Sequence, residues 1–227
     1  MKNENYEREK MVLGIYGAGG LGREVYIIAK KINKVELRWE KVVYIDDIGK
    51  VQGKDIFTFE NLVERYLDGL EIIIGVGEPA VREAMYNKVK RNKIPLITLI
   101  HPGVYIDETV RLGEGVVICE GVTITSNIVI GENSYIHPHA AIGHDVTIGR
   151  HSVIGTNSQV GGSNRIGDRA YMGFLSGTKE GLTVGNDVIC SAGAIIFRDM
   201  PDGVIAVGNP ARIMKRNEGK GVFQGGV

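Results

Sequence analysis

The sequence predicts a two-part fold: an α/β, Rossmann-like half domain followed by an all-β parallel helix of stacked hexapeptides. Three observations predict it. An apolar residue returns at fifteen of the sixteen positions spaced by six from Ile106 to Ile196, a glycine fingerprint follows the first strand-like run, and strand-like and helical runs alternate up to residue 100.

The stretch MVLGIYGAGGLGREVYIIAKKI (11–32) reads as a buried strand, a glycine turn at Gly17, Gly19 and Gly22, and a helix with apolar spacing through Val25, Ile28, Ala29 and Ile32. KVVYIDD is a second strand ending in Asp46 and Asp47, TFENLVERYL is helical, and EIIIGVG is a third strand ending at Gly75 and Gly77. PAVREAMYNKVKRN is helical, and PLITLI is a fourth strand leading through His101 and Pro102 into the first coil. The order βαβαβαβ predicts a small parallel sheet.

The pattern Gly17-x-Gly19-x-x-Gly22 offers free amides and a helix N-terminus to a phosphate, and Asp46 lies 24 residues past Gly22, near the spacing of a ribose-binding acid. The same glycines also suit a tight turn that packs helix on strand. Fewer than 100 residues precede the coils. That is room for one mononucleotide-binding half, so the expected ligand is a nucleotide handle such as UDP on a sugar rather than NAD.

Counting in sixes from Ile148, fifteen of the sixteen positions between Ile106 and Ile196 are apolar, Thr178 being the exception. A helix repeats near 3.6 residues and a strand at 2, so a period of six signals stacked units. Each short strand points one apolar residue into a triangular prism, and glycines suit turns where a side chain would crowd the backbone. Three hexapeptides close one coil, which stacks residues 18 apart at about 4.8 Å. SGTKEGLTVG, around Thr178, reads as a small loop leaving the prism, and Pro201 and Pro210 as stops to further pairing.

Lys plus Arg and Asp plus Glu number 27 each, so no global field favours nucleic acid or an acidic membrane. Cys119 and Cys190 are the only cysteines, and Cys190 falls on an inward position, as expected of buried, reduced thiols. The start MKNENYEREK is too polar for a secretory signal, and no apolar run approaches 18 residues. The expectation is a cytoplasmic chain with no membrane and no nucleic-acid partner.

His144 falls two places after the inward Ile142, where a side chain faces outward, with Asp145 beside it. One coil onward come Gly161, Gly162 and Ser163, a nearly bare shelf. An imidazole below free backbone amides suits acyl transfer, with a base for the attacking group and donors for the oxyanion. An adjacent acid fixes the tautomer and raises basicity. His137, His139 and His151 read as surface residues on the coils, and His101 as part of the joint between domains. Resemblance to the zinc carbonic anhydrases built on a left-handed β-helix would imply histidines spaced by two coils and by five residues. His139 and His144 give the five, but the residue 36 before His139 is Gly103; His101 and His137 are 36 apart, but five beyond His137 is Ile142. No triad keeps phase, so no metal is expected.

The combination of YGAGGLGREV, YIDD, IGVGEPAVR, LIHP, GHDVTIG and VGNPARIMK, over residues 11 to about 215, resembles the bacterial sugar O- and N-acetyltransferase family. That family includes sialic acid O-acetyltransferases and UDP-4-amino-sugar N-acetyltransferases. The resemblance implies a homotrimer of left-handed β-helices, acetyl-CoA between neighbouring subunits and a nucleotide-sugar acceptor on the N-terminal domain. It makes His144 the general base and Asp145 its support. Position by position, it implies nucleotide-sugar contacts at Gly19, Gly20, Leu21, Asp46, Asp47 and Gly77, and acetyl-CoA contacts at Gly162, Phe174 and Gly193. Two positions depart from the family. Leu21 stands where the glycine loop often carries a histidine, and Val153 where some members place a second histidine on acetyl-CoA.

The expected organisation is a nucleotide-sugar-binding domain over 1–100, a left-handed β-helix acetyltransferase domain over 101–215 and a flexible tail over 216–227. The expected activity is direct acetyl transfer to the amine of a nucleotide-linked amino sugar. The alternatives are O-acetylation of a sialic-acid-like sugar, a non-catalytic nucleotide-sugar-binding trimer, a zinc β-helix enzyme, and an NAD-dependent oxidoreductase, the last opposed by the half-sized sheet.

Overall fold

A computed structural model gives the architecture and describes residues 11–49, 51, 53–219 and 221–223. The N-terminal sheet is parallel, built from β1 (Val12–Tyr16), β2 (Lys41–Ile45), β3 (Ile56–Phe57) and β4 (Leu70–Ile74) in the order β3-β2-β1-β4. Every residue of β1 and β4 is buried, as parallel strands covered on both faces require. Helix α1 (Gly20–Glu36) buries Gly22, Val25, Ile28, Ala29 and Ile32 on one stripe. It ends at Leu37, whose left-handed φ of 52° lets its N–H return to the Asn33 carbonyl. Helix α2 (Phe59–Tyr66) starts at Thr58, which accepts from the Asn61 N–H, and α3 (Pro79–Arg91) opens on a proline, whose missing N–H costs nothing in a first turn.

The glycine turn is a packing device as well as a loop. A Cβ on Gly22 would stand 1.9 Å from the Gly17 carbonyl oxygen, so α1 can approach β1 only through glycine. Gly19, by contrast, has nothing within 4 Å of an added Cβ.

The predicted fourth strand PLITLI divides between two sheets. Leu96 forms a lone parallel bridge to Ile72 of β4, whereas β5 (Leu99–Ile100) pairs with Val117–Ile118 and is the first rung of the coil. Strand Ile56–Phe57, unread in the sequence, fills the other edge of the domain's sheet.

From β5 onward the chain winds into three parallel sheets, and each strand up to Gly177–Thr178 pairs with the one 18 residues later, as in Tyr135↔Val153↔Tyr171↔Ile189. The inward positions Ile118, Ile136, Ile154, Met172 and Cys190 are at most 0 % exposed. Where a glycine follows the inward residue, it answers the approach of the next coil: a Cβ on Gly143 would stand 2.6 Å from the Gly162 nitrogen. The left-handed residue of each turn comes two places later, at Asn127, Asn133, His139, Asp145, His151 and onward in sixes.

Two expectations for the distal coils are corrected. SGTKEGLTVG does not leave the prism: Gly177–Thr178 and Thr183–Val184 are rungs in phase, and the Thr178 hydroxyl accepts from Gly161 N–H and Asn164 Nδ2. A polar inward residue is accommodated because its oxygen is satisfied. Nor do Pro201 and Pro210 end pairing. Val204–Val207 adds a parallel rung on Ile189–Cys190, and Arg212–Arg216 folds back on it antiparallel, the prolines lying outside the paired residues.

The sheet domain sits on the first face of the coil. Arg82, wholly buried, donates to the Asn133 carbonyl and side chain and to the carbonyls of Ile74 and Val76, and its guanidinium lies 5.6 Å from the Tyr135 ring. Burial pulls it down to about 10, which still leaves it charged at neutral pH. His151 is corrected here. It is 3 % exposed and bonded to Asn133 at 3.0 Å, because α3 packs over its turn with Tyr86 edge-on at 5.0 Å. His137 is half-buried against Tyr135, also not a free surface residue, while His139 is exposed. His101 lies at the domain joint as expected, within 3.1 Å of Lys31 on α1. Both cysteines are buried and free, and burial pushes each thiol up to about 12.

Candidate active site

A cavity of about 490 Å³ opens where the C-terminal ends of β1, β2 and β4 meet the coil. The six residues expected to hold a nucleotide sugar, Gly19, Gly20, Leu21, Asp46, Asp47 and Gly77, all line it. Helix α1 starts at Gly19 with no side-chain cap, so its first-turn N–H groups face the cavity without a competing acceptor from a cap.

The two acids differ. Asp46 accepts from the amides of Ile48 and Val51 and folds its own loop back. Asp47 is engaged on both oxygens, by the Phe59 N–H on one and by the Tyr16 hydroxyl and Lys88 on the other. Burial opposes ionisation of Asp47, but these hydrogen bonds outweigh it and hold the carboxyl below its usual range. Asp47 therefore shapes the wall rather than presenting a free carboxylate.

The sequence reading missed the wall on the coil side. His137 and Tyr171 from the coil, with Phe223 and, from the sheet domain, Glu78, also line the cavity. Burial first, and then the charge of Arg82, pull His137 down to about 4, so it faces the cavity as a neutral imidazole. Glu78 follows Gly77 at the N-cap of α3 and was within reach of a local reading, whereas no local motif marks His137, Tyr171 or Phe223, which meet the cavity only through the docking of distant segments. The stretch 216–227 read as a flexible tail falls partly outside the described residues, but Phe223 lines the cavity and the Val222 N–H donates to Glu78.

His144 stands elsewhere on the coil. Its Nδ1 lies 2.7 Å from Asp145 Oδ2, and Asn127 Nδ2 donates to the other carboxylate oxygen at 3.2 Å. The hydrogen bond from His144 first, then that from Asn127, hold the Asp145 carboxyl below its usual range. A neutral imidazole donating from Nδ1 leaves Nε2 with its lone pair free. Asn127 was also missed, although it stands one coil period before Asp145 and was legible at that spacing. Gly162 lies over the ring, and among the described residues its N–H donates to no acceptor. Among the described residues no group of three or more His, Cys, Asp or Glu is placed to hold a metal, and no helix is long and apolar enough to cross a membrane.

Within one chain these parts do not form a single site. The cavity faces the first sheet of the coil, whereas His144 and Gly162 lie on turns that follow strands of the second. Phe174 and Gly193 lie on turns that follow the first sheet and touch each other, Gly193 N–H donating to the Phe174 carbonyl at 2.9 Å. Phe174 is exposed, and Val153, at the other departure from the family, is fully buried in the core.

Comparison with known proteins follows the same two-part division. The PglD N-terminal domain family matches residues 12–89, and the GMPPB C-terminal domain family matches residues 96–199. No curated protein sequence gives a significant match. Among solved structures, PerB from Caulobacter crescentus, in complex with CoA and GDP-perosamine, is 28% identical with a TM-score of 0.82, over 90% of this chain and 97% of that one. The acetyltransferase domain of PglB from Neisseria gonorrhoeae is 26% identical with a TM-score of 0.82, over 90% of this chain and 100% of that one. WeeI from Acinetobacter baumannii is 27% identical with a TM-score of 0.83, at the same coverage. With both halves matched in order and the architecture shared over 90% of the chain, the protein has the fold of sugar N-acetyltransferases built on a hexapeptide-repeat, left-handed β-helix, and it is an acyltransferase.

Proposed function

We propose that the chain transfers the acetyl group of acetyl-CoA directly to the amino group of a nucleotide-linked amino sugar, with His144 as general base. The observation that carries this reading is the fixed imidazole: Nδ1 is held by Asp145, and Nε2 is free beneath Gly162. Similarity to PerB, whose structure contains CoA and GDP-perosamine, supports the two substrate classes.

The nucleotide sugar occupies the cavity, its phosphates on the amides of Gly19, Gly20 and Leu21, with Asp46, Asp47 and Gly77 forming the surrounding wall. Acetyl-CoA runs along the coil past Gly162, Phe174 and Gly193. Since the cavity and His144 lie on different parts of the prism, a second copy must supply the missing wall, and a homotrimer closes three such sites. In each, His144 Nε2 accepts a proton from the amine as nitrogen attacks the thioester carbon. The C–N bond forms, the oxyanion accepts from the Gly162 N–H, and the C–S bond breaks as the proton passes to the departing thiolate. No covalent enzyme intermediate is involved.

The test is coenzyme A release by the purified chain against a panel of UDP-, GDP- and dTDP-linked amino sugars. Turnover with one of them, and an amide in the product, is the expected result. Hydrolysis of acetyl-CoA alone, with no sugar acetylated across the panel, would overturn the reading.

A further inference from the structure

Glu78 stands at the N-cap of α3, where a short polar side chain would ordinarily accept from the helix's own first-turn amides, yet it makes no such bond. Its carboxylate is turned outward and accepts from backbone N–H groups 144 and 145 residues away: Val222 at 3.0 and 2.9 Å and Phe223 at 3.0 Å. Charge-assisted bonds of this kind fix a backbone where a tail would otherwise wander. The consequence is the position of Phe223. Its ring meets Tyr171 edge to face, with centroids 5.7 Å apart, and lies 3.7 Å from where a Cβ on Gly77 would be. Both rings line the cavity, and Phe223 remains 55% exposed, so a face is left open.

The position within the cavity identifies what that face meets. Phosphates belong at the start of α1, and the ribose and base beyond β2 beside Asp46, by the logic of a parallel sheet's C-terminal edge. Tyr171, Phe223 and Gly77 lie on the other side, between the β4 end and the coil, which leaves them to the sugar. We infer that Phe223, clamped by Glu78 and braced by Tyr171, is a specificity-determining residue that packs against the C–H face of the acceptor sugar ring.

This inference rests on the proposed acceptor class, and the experiment separates the two. Calorimetric titration of the full chain uses the nucleotide-linked amino sugar that binds it best and the matching nucleoside diphosphate. Phe223→Ala should weaken the sugar nucleotide about five- to tenfold, the size of an aromatic contact, and change the nucleoside diphosphate less than twofold. Phe223→Tyr should restore most of the loss. Glu78→Gln should weaken the sugar nucleotide in the same sense and speed amide exchange at Val222 and Phe223. Equal weakening of both ligands would place the ring on the nucleotide, tighter binding would make it a plug, and no change would leave it outside the site; each overturns the inference while the acceptor class stands. If the wild-type chain binds no member of the panel, the acceptor class fails and the inference falls with it.

Discussion

Gly162 and His144 are in contact across one coil: a methyl group on the Gly162 Cα would stand 2.8 Å from the imidazole Nε2 and 2.9 Å from Cε1. The ring is the free end of a side chain 64% exposed, so it would swing aside rather than break the coil. Gly162→Ala should therefore lower kcat about tenfold to a hundredfold, a penalty typical of a misplaced catalytic group, with the melting temperature nearly unchanged. Wild-type turnover in this variant would mean that the imidazole position is immaterial.

Replacing the base itself is the sharper experiment. His144→Ala should reduce kcat by about two to four orders of magnitude with both substrates still bound, the usual contribution of a general base. Asp145→Asn and Asn127→Ala should cost less. Asp145→Asn removes the charged acceptor that holds Nδ1, so kcat should fall about tenfold with both KM values near wild type, and unchanged turnover would show that the aspartate only holds the turn.

Gly19 and Gly22 should separate binding from folding. Gly19→Val projects into open space and should raise the sugar-nucleotide KM about tenfold or more, leaving the KM for acetyl-CoA and the melting temperature close to wild type. Gly22→Ala, facing a carbonyl at 1.9 Å, should destabilise the domain outright. Thermal melts beside steady-state kinetics read both; equal loss of both substrate affinities in Gly19→Val would make the loop merely structural.

Two histidines make stability depend on acid. His137 and His151 are both pulled down to about 4, chiefly by burial, from an ordinary value of 6.5. Between those values the unfolded chain binds more protons than the folded one. Stability is thus full above about pH 6.5 and is lost as pH falls toward 4. His151→Gln should flatten the melting-temperature curve over that window, and a slope equal to wild type would assign the acid sensitivity elsewhere.

Light scattering should find a particle near three times 24.7 kDa. A monomer at micromolar concentration would leave His144 without the cavity that the proposed reaction requires.

The coil was legible because each rung spends one large apolar residue on the interior, so Ile142, Ile148 and Ile154 announce their own phase. The His144–Asp145 pair was legible for the same reason, as was the glycine loop from its spacing. PLITLI misled because a residue that bridges one sheet and a residue that starts another carry the same β-branched, apolar signature, and only docking decides between Leu96 and Leu99. His151 looked like any turn residue, since what buries it is α3, distant in sequence. The Glu78 clamp on Val222 and Phe223 spans too much chain for any local pattern to mark it.

The Arg82 clasp has a calorimetric consequence. Its guanidinium is anchored on carbonyls from both halves of the molecule, and parting them would strand a buried charge with half its acceptors gone. The halves are thereby welded into one cooperative block, and a heating scan should trace a single endotherm. Arg82→Met, deprived of that weld, should split the trace into two peaks, the sheet melting ahead of the coil.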